Sequence, residues 1–517
     1  MKLNYRRTIL VGFAFFLISA FWQAYDATIP VILTNKFGMN QTWSGLIMAL
    51  DNILAVFMLP IFGALSDKCK SPKGKRTPFI TIGTIVAAAA LVCLSFVDYA
   101  QLNNVSDVAK IDDPAALSVI YDKQADTKLQ TPEGEEFVLS ELMDKEAFTS
   151  IRSEIVEPSG EKTVSKDYTN YVVPARQACA ADATAAAPVT LVLFIVLLLA
   201  VLIAMATFRS PAVALMPDVT IKPLRSKGNA IINLMGTAGG ILVLVLGIVF
   251  ATSSVKNAMM SYIPYYLVIA GLMLAALGIF RLTVKEPAWA AKMQEDSLAL
   301  GIDEGSEEEE TNHRKLSWSE RGSLLLILAS IALWYIGYNA VTSKYSLYAS
   351  AVLGMDYNST LLLAQAAAIV AYLPAGIVAS KIGRKKTILA GVVMLSSAFL
   401  LASFMRAGSS PLLMNVLFAL AGIGWATINV NSFPMVVEMC SGADIGKYTG
   451  YYYTASMAAQ IVTPVFSGFL MDQFGMTILF PYAAIFAGLA FLTMFFVKHG
   501  DAKLESKKGL EALDIDD

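Results

Sequence analysis

The loop Gly63-Ala-Leu-Ser-Asp67-Lys68, continued by Gly74-Lys75-Arg76, lies between two long apolar segments near the start of the chain. A second loop of the same design, Gly376-Ile-Val-Ala-Ser380-Lys381-Ile-Gly383-Arg384-Lys385-Lys386, lies between two apolar segments further along. The first parts of the two copies match within an offset of 312 to 314 residues, with Gly63 at Gly376 and Asp67 at Ser380, and Gly74-Lys75-Arg76 matches Gly383-Arg384-Lys385 at an offset of 309. A loop repeated at this distance indicates a chain built from two equivalent, parallel halves.

The same offset aligns other residues of the two halves. Trp22 and Tyr25-Asp26-Ala27 correspond to Trp334 and Tyr338-Asn339-Ala340, and Asp51 with Leu59-Pro60 corresponds to Gln365 with Leu373-Pro374. At a shorter offset of 220 to 223 residues, Ser210-Pro211 followed by Asp218 likewise resembles Ser432-Phe-Pro434 followed by Glu438. The repeat therefore extends from the loops into the apolar segments.

Those apolar segments predict a membrane protein. Of 517 residues, 56% are hydrophobic and 15% charged, against about 25% charged in a soluble protein. Twelve segments are long enough for a ~30 Å hydrocarbon layer, and in lipid they must be helices, which satisfy every backbone amide internally. The predicted spans are 8–34, 43–66, 78–97, 188–207, 228–251, 262–281, 322–343, 358–380, 387–405, 411–437, 448–471 and 477–497.

This pattern predicts an all-α membrane protein with twelve transmembrane helices in two parallel six-helix repeats and a small extracytoplasmic insertion. Three helices end at residue 97, the acidic insertion covers 98–187, and helices four to six cover 188–282. A linker at 283–320 precedes the second half, 321–497, and a tail, 498–517. Segments expected on one face hold 27 Lys and Arg, against 4 in the short loops of the other. The positive-inside rule then places both termini in the cytoplasm of a multi-pass protein of the cell membrane.

The insertion has 17 acidic and 8 basic residues. We expect a small acidic lobe with some helix rather than a flexible loop. One interpretation is a substrate-binding lid. The other is a lineage-specific insertion that affects stability or contacts at the cell surface.

Six plus six helices and the repeated loop resemble the Major Facilitator Superfamily. The long form of the first loop, Ser66 to Ile80, is similar to that of sucrose/proton symporters and glycoside-pentoside-hexuronide:cation symporters, as is Pro211-Ala-Val-Ala-Leu-Met-Pro217-Asp218-Val-Thr220 with Arg225. The resemblance implies transport by alternating access. Leu59 and Ala55 stand where the cation symporters place acids, which argues against a sodium site of that kind.

The repeated loops also predict a gate at the cytoplasmic side. Gly63 allows two helices to approach closely, and Asp67 is expected to accept hydrogen bonds from the amides at a helix N-terminus. Arg76 is expected to pair with Asp218, and Arg384 or Lys385 with Glu438. The gating candidates are Gly63, Asp67, Gly74, Arg76, Asp218, Arg225, Gly383, Arg384, Lys385 and Glu438; the alternative is that these charges only orient the chain.

Within the predicted spans, only Asp26 and Asp51 are ionisable, and each lies about 12 Å from the outer surface by helix rise. A charge at this depth is costly, so a function is the default interpretation. Burial without a cationic partner favours the protonated form of a carboxyl group, as proton coupling requires. The structural alternative is that each aspartate caps or bonds a neighbouring helix.

No Lys or Arg lies in any predicted span, which favours a neutral, hydroxylated cargo over a carboxylate or phosphate. Sugars stack on aromatic faces and bond to carboxylates and amides. The predicted binding residues are Trp22, Gln23, Tyr25, Asp26, Trp334, Tyr338, Asn339, Gln365, Trp425 and Asn429.

These observations predict a proton-coupled importer of a neutral disaccharide or oligosaccharide, acting as a monomer. An efflux antiporter for apolar cations and a non-transporting surface receptor remain alternatives. The 39 basic residues nearly balance the 41 acidic ones, which disfavours nucleic acid as a partner. The spacing of the cysteines and histidines does not match a metal or cofactor site. The predicted spans contain no set of residues typical of a hydrolase, so we do not expect an enzyme.

Overall fold

A computed structural model of the chain describes residues 3–156, 162–221, 224–299, 316–437, 439 and 445–500. In the described part, eleven helices are long and apolar enough to cross a membrane. A twelfth helix, Tyr357–Ile382, occupies the position of the eighth predicted span. The predicted fold class is therefore confirmed.

The two halves have separate hydrophobic cores. The first half contains α1 (Tyr5–Asn35), α2 (Gln41–Asp67), α3 (Thr77–Asn104), α9 (Val189–Asp218), α10 (Arg225–Val249) and α11 (Ile263–Thr283). The second half contains α13 (Trp318–Tyr348), α14 (Tyr357–Ile382), α15 (Arg384–Ala402), α16 (Pro411–Val437), α17 (Ile445–Phe474) and α18 (Leu479–Phe495). Large apolar side chains such as Phe57, Val189 and Phe404 are more than half exposed, because they face lipid.

The insertion folds as a small lobe with its own core. Its helices are α4 (Ser106–Ala109), α5 (Pro114–Gln124), α6 (Leu139–Leu142), α7 (Lys145–Ser150) and α8 (Val173–Ala186), with a π-helical turn at Tyr168–Val172. Two antiparallel hairpins pair β1 (Lys128–Gln130) with β2 (Glu136–Val138), and β3 (Glu154–Val156) with β4 (Lys162–Val164). We call the side of the bundle that carries this lobe the insertion face, and the opposite side the termini face.

Several membrane helices are longer than hydropathy predicted. The fourth span, predicted to end at residue 207, continues as α9 to Asp218 through Pro211. The seventh, predicted to end at residue 343, continues as α13 to Tyr348 and then as a π-helical turn to Leu353. In the linker, α12 (Glu286–Ala299) is described, whereas the acidic run Glu307–Glu310 lies outside the described residues.

Glycines bring particular helices together. A Cβ on Gly63 would lie 2.9 Å from Ser210 Oγ, so the expected close approach of α2 involves α9. A Cβ on Gly239 would lie 2.5 Å from the Phe16 carbonyl oxygen, where α10 packs on α1. Between the halves, a Cβ on Gly45 would lie 1.9 Å from the Pro464 carbonyl oxygen. Only glycine permits the α2–α17 contact at the insertion face.

Candidate functional site

The predicted residues of α1 form the first-half wall of the site. Trp22 and Tyr25, three positions apart and so on one helix face, meet edge to face with centroids 5.4 Å apart. Tyr25 is buried, whereas Trp22, Gln23 and Asp26 are half-buried. Among the described residues, the Trp22 Nε1 and Tyr25 hydroxyl groups lack hydrogen-bond partners. Both can therefore bond to a polar ligand.

A pair of glutamines joins the two halves. Gln365 Nε2 donates a hydrogen bond to Gln23 Oε1. Gly240 of α10 lies beside the pair, since a Cβ there would be 3.1 Å from Gln365 Oε1. The two predicted binding residues thus meet at the contact between α1 and α14.

The two intramembrane aspartates belong to one electrostatic cluster. Asp26 of α1 and Asp51 of α2 lie close enough to interact. Asp51 Oδ1 also accepts a hydrogen bond of 2.7 Å from Asn52 Nδ2. The prediction that both carboxylates face one region is consistent with this coupling.

The expectation that no cation lies within a span is wrong. Because α9 continues past residue 207, Arg209 lies inside the helix, with its guanidinium 5.6 Å from the Trp22 ring centroid. Arg209 also interacts electrostatically with Asp51. Arg209 lies only two residues past the predicted end of the fourth span. Because hydropathy fixes the ends of spans poorly, this position could have indicated that Arg209 lies in the helix.

Other charged groups lie in or beside the helices as well. Lys344 lies within α13, and Asp98 within α3. Asp98 is fully buried and accepts bonds of 2.6 and 2.7 Å from Lys36 Nζ. Burial lowers the pKa of Lys36, and its ion pair with Asp98 opposes that shift. These groups were missed because the real helices extend beyond the apolar runs.

In the second half, two predicted aromatic residues stack. Tyr338 of α13 and Trp425 of α16 are parallel within 2°, with centroids 3.6 Å apart, and Tyr335 meets Trp425 edge to face at 5.2 Å. Asn429 follows Trp425 by about one helical turn and is half-buried. Asn339 is also half-buried, and its Nδ2 has no hydrogen-bond partner among the described residues.

Trp334 is not placed at this site. Its side chain is fully buried in the core of the second half, with Ile331 and Val341 in the same cluster. The repeat aligned Trp334 with Trp22, but packing within α13 turns it toward its own half. Trp425 provides the aromatic face instead.

At the termini face, Arg76 is the centre of a polar cluster. The expected pair with Asp218 is present, with Nε donating to Oδ2 at 2.8 Å. Nη2 donates to Asp67 Oδ1 at 2.5 Å, and Nη1 donates to Ser66 Oγ. Burial lowers the pKa of Arg76, but the two carboxylates more than offset this and raise it. All four residues belong to the first half, so here the cluster joins α2, α3 and α9 rather than the two halves.

The role predicted for Asp67 at a helix N-terminus belongs to Glu286. The Glu286 carboxylate accepts 2.8 Å bonds from the backbone N–H groups of Arg76 and Thr77, at the start of α3. Gly74 has φ +109°, and a Cβ there would lie 2.3 Å from this carboxylate. Glu286 thus holds the linker helix α12 against the loop. Only its acidic character was visible in the sequence.

The second copy of the gate is described in part. Gly383 has φ +96° and precedes α15, which begins at Arg384. Lys385 Nζ donates to the carbonyl oxygens of Phe495 and Val497, at 2.8 and 2.6 Å. Glu438 and the Arg225 side chain lie outside the described residues, so the Glu438 pair stays a prediction.

The halves are joined at the insertion face. Asp472 of α17 accepts bonds of 2.7 and 2.8 Å from the backbone N–H groups of Gln41 and Thr42, at the start of α2. Lys344 Nζ of α13 donates to the Gln41 carbonyl at 2.7 Å. The structure is therefore closed on this face.

Comparisons with known proteins agree with this architecture. The sequence profile of the Major Facilitator Superfamily matches residues 3–107 and 360–514. Among solved structures, the inward-open xylose transporter XylE from E. coli is 15% identical, with a TM-score of 0.55 over 99% of this chain and 100% of that chain. A nucleoside transporter, NupG, is 14% identical (TM-score 0.51, 94% and 98% covered), and a peptide transporter in complex with sulfate is 11% identical (0.58, 95% and 93%). At such low sequence identity, these structural matches show a shared fold. The profile match covers half of the chain, and it establishes that the chain belongs to the Major Facilitator Superfamily.

Proposed function

We propose that the chain imports a neutral sugar with a proton by alternating access. The proposal is supported by polar and aromatic residues that both halves contribute, with Gln23 bonded to Gln365 across the halves and Tyr338 close enough to Asp26 to interact with it electrostatically. Trp22, Tyr25 and Asp26 come from one half, and Tyr338 and Trp425 come from the other. Sugars are recognised by this combination of aromatic faces, carboxylates and amides.

The charge of the site favours a neutral cargo. Arg209 balances Asp51, which leaves Asp26 as the uncompensated charge among these three groups. A carboxylate substrate would be repelled by Asp26, whereas sugar hydroxyl groups can donate to it. Arg209 also disfavours an efflux pump for apolar cations. Among structures of the same fold, the names of a xylose and a nucleoside transporter give cargoes that contain a sugar ring.

The proposed orientation places the insertion face outside the cell membrane and both termini in the cytoplasm, because the segments assigned to the termini side hold 26 basic residues in the sequence once Arg209 is counted with α9. Asp51 is the proposed proton carrier, with Asp26 as its partner. In this proposal Asp51 holds the proton when it is separated from Arg209 and releases the proton when the two residues pair. The two halves of a single chain complete the site, so we propose that a monomer is sufficient for transport.

Counterflow in proteoliposomes against a panel of sugars tests the proposal, with a trapped pH indicator reporting proton movement. We expect one neutral di- or oligosaccharide to exchange and to carry protons inward. Asp51→Asn should abolish accumulation driven by a pH gradient but retain exchange, since the amide keeps the shape and cannot carry a proton. Export of cationic dyes in place of sugar exchange would support the efflux alternative and contradict our proposal.

A further inference from the structure

The insertion rests on both halves of the bundle, although it belongs to the first half in sequence. Gln130 and Pro132 of its first hairpin line a cavity together with Gln41 and Asp472. The insertion therefore covers the junction that closes the insertion face. Its two sides differ in the kind of contact that they make.

The contact with the first half is an extended, buried one. Val255 and Met259, from the loop between α10 and α11, belong to the same hydrophobic core as the insertion. Gln177 Nε2 donates to Asn35 Oδ1 at 2.9 Å. Gly38 has φ +65°, and a Cβ there would lie 2.2 Å from the backbone nitrogen of Ala181. Separating these surfaces would expose the core of the lobe.

The contact with the second half is made by the two hairpins, where Val164 of β4 packs on Gly354, and by α8 residues that line a cavity with Ala351. The backbone N–H of Met476 donates to the Pro132 carbonyl at 2.7 Å. Gly134 and Gly475 lie against each other with φ +95° and +84°, and a Cβ on Gly475 would be 2.5 Å from Gly134 N. Arg406 Nε lies 3.8 Å from Glu133 Oε1 in a partly exposed ion pair. The hydrogen bond and the ion pair of the first hairpin can break without opening a hydrophobic core.

We propose that the insertion is a releasable strap: it moves with the first half and detaches from the second half when the insertion face opens. Its attachment then sets how readily the transporter opens on that face. The inference rests on the proposed transport cycle but not on the identity of the cargo. A segment attached to both halves must detach from one of them when the halves separate. Its contacts with the second half are easier to break than its contacts with the first.

The test measures opening of the insertion face without any substrate. Spin labels carried by non-natural amino acids at Asn103 and Ser410 report the distance between the two halves by double electron–electron resonance. Met476→Pro removes the N–H that bonds to Pro132, at the first position of a helical turn where proline is tolerated. We expect the open population to rise roughly two- to tenfold, the equivalent of one hydrogen bond.

The matched control is Gln177→Ala, which removes a bond between the insertion and the first half. This variant should leave the distance distribution unchanged, because those surfaces move together. If the distance distribution of Met476→Pro is the same as that of the wild type, the proposal is overturned. This includes the case in which the insertion face stays closed in every variant. So would equal opening in the control.

Crosslinks provide a test that does not depend on the proline variant. A disulfide between Pro132→Cys and Met476→Cys should hold the face closed until it is reduced, whereas one between Asn35→Cys and Gln177→Cys should permit opening. Opening with the first crosslink intact would show that the insertion need not detach. Loss of sugar exchange alone would not bear on this inference, since the distances are measured without cargo.

Discussion

The backbone N–H of Gln41 donates a 2.7 Å hydrogen bond to Asp472 Oδ1, so a carboxylate of the second half caps a helix of the first. An anion is favourable at this position because the free N–H groups and the helix dipole attract it. Thr42 adds a backbone bond of 2.8 Å to Asp472 Oδ2. Opening of the insertion face must break this junction.

Asp472→Asn should therefore shift the protein toward a state open at the insertion face. Charge-assisted hydrogen bonds contribute roughly 1.5–3 kcal/mol each, so losing one corresponds to about a tenfold to hundredfold change in population. Distance measurements between labelled halves would detect it. Asp144→Asn is the control, because Asp144 caps α7 within the insertion. A similar shift in both variants would mean that general destabilisation, not the junction, caused the change.

Arg76→Ala should slow the conformational cycle and leave substrate affinity nearly unchanged, because the Asp67–Arg76–Asp218 cluster lies at the termini face rather than at the site. Turnover should fall by at least about tenfold, since two charge-assisted bonds are lost. Initial uptake rates and equilibrium binding separate the two effects. Lys75→Ala changes the exposed neighbour and should behave as wild type. A tenfold weaker affinity with normal turnover would contradict the gating role.

Glu286→Gln should lower the stability of the protein, because the amide cannot accept from both N–H groups at the start of α3 as the carboxylate does. We expect a loss of roughly 1.5–3 kcal/mol. Thermal unfolding of purified protein in detergent measures it as a lower Tm. Glu295→Gln, an exposed change on α12, provides the comparison. Equal melting temperatures for the two variants would refute the anchoring role of Glu286.

Arg209→Gln should reduce transport by at least about tenfold, because Asp51 then loses its positive neighbour in a partly buried site. Adding Asp51→Asn to this variant should restore sugar exchange but not proton-driven accumulation, since the unbalanced charge is removed along with the proton carrier. Exchange and accumulation assays on the two single variants and the double variant measure this. If the two losses simply add, Arg209 and Asp51 act independently.

Substitutions of Trp425 and Trp334 should affect different properties, sugar binding and protein stability respectively. Trp425→Ala is expected to weaken sugar binding by roughly two- to tenfold through loss of stacking. Asp26→Ala should weaken it by about tenfold to a hundredfold. Trp334→Ala should instead lower stability by roughly 3–5 kcal/mol, because it empties a core position. Calorimetry with the sugar that counterflow identifies, together with thermal unfolding, distinguishes them. If Trp334→Ala weakened sugar binding without lowering stability, Trp334 would have to be assigned to the binding site.

Much of the fold followed from local properties of the sequence. Apolar runs of about 20 residues must become membrane helices, because lipid offers backbone groups no other partner. The repeated loop around Asp67 and Arg76 indicated two equivalent halves, and basic residues indicated an orientation. The pair of Arg76 with Asp218 was also predictable, since opposite charges stood in neighbouring loops of the same half.

Only the tertiary structure decided which side chains meet. Hydropathy cannot fix the ends of a helix that extends past its apolar run, so it placed Arg209 in a loop although α9 carries it to Trp22. Sequence repetition could not show that Trp334 turns into its own core, because that depends on packing with neighbouring helices. Glu286 reaches α3 from a linker more than 200 residues away in sequence. Such contacts form when helices pack, and no local pattern encodes them.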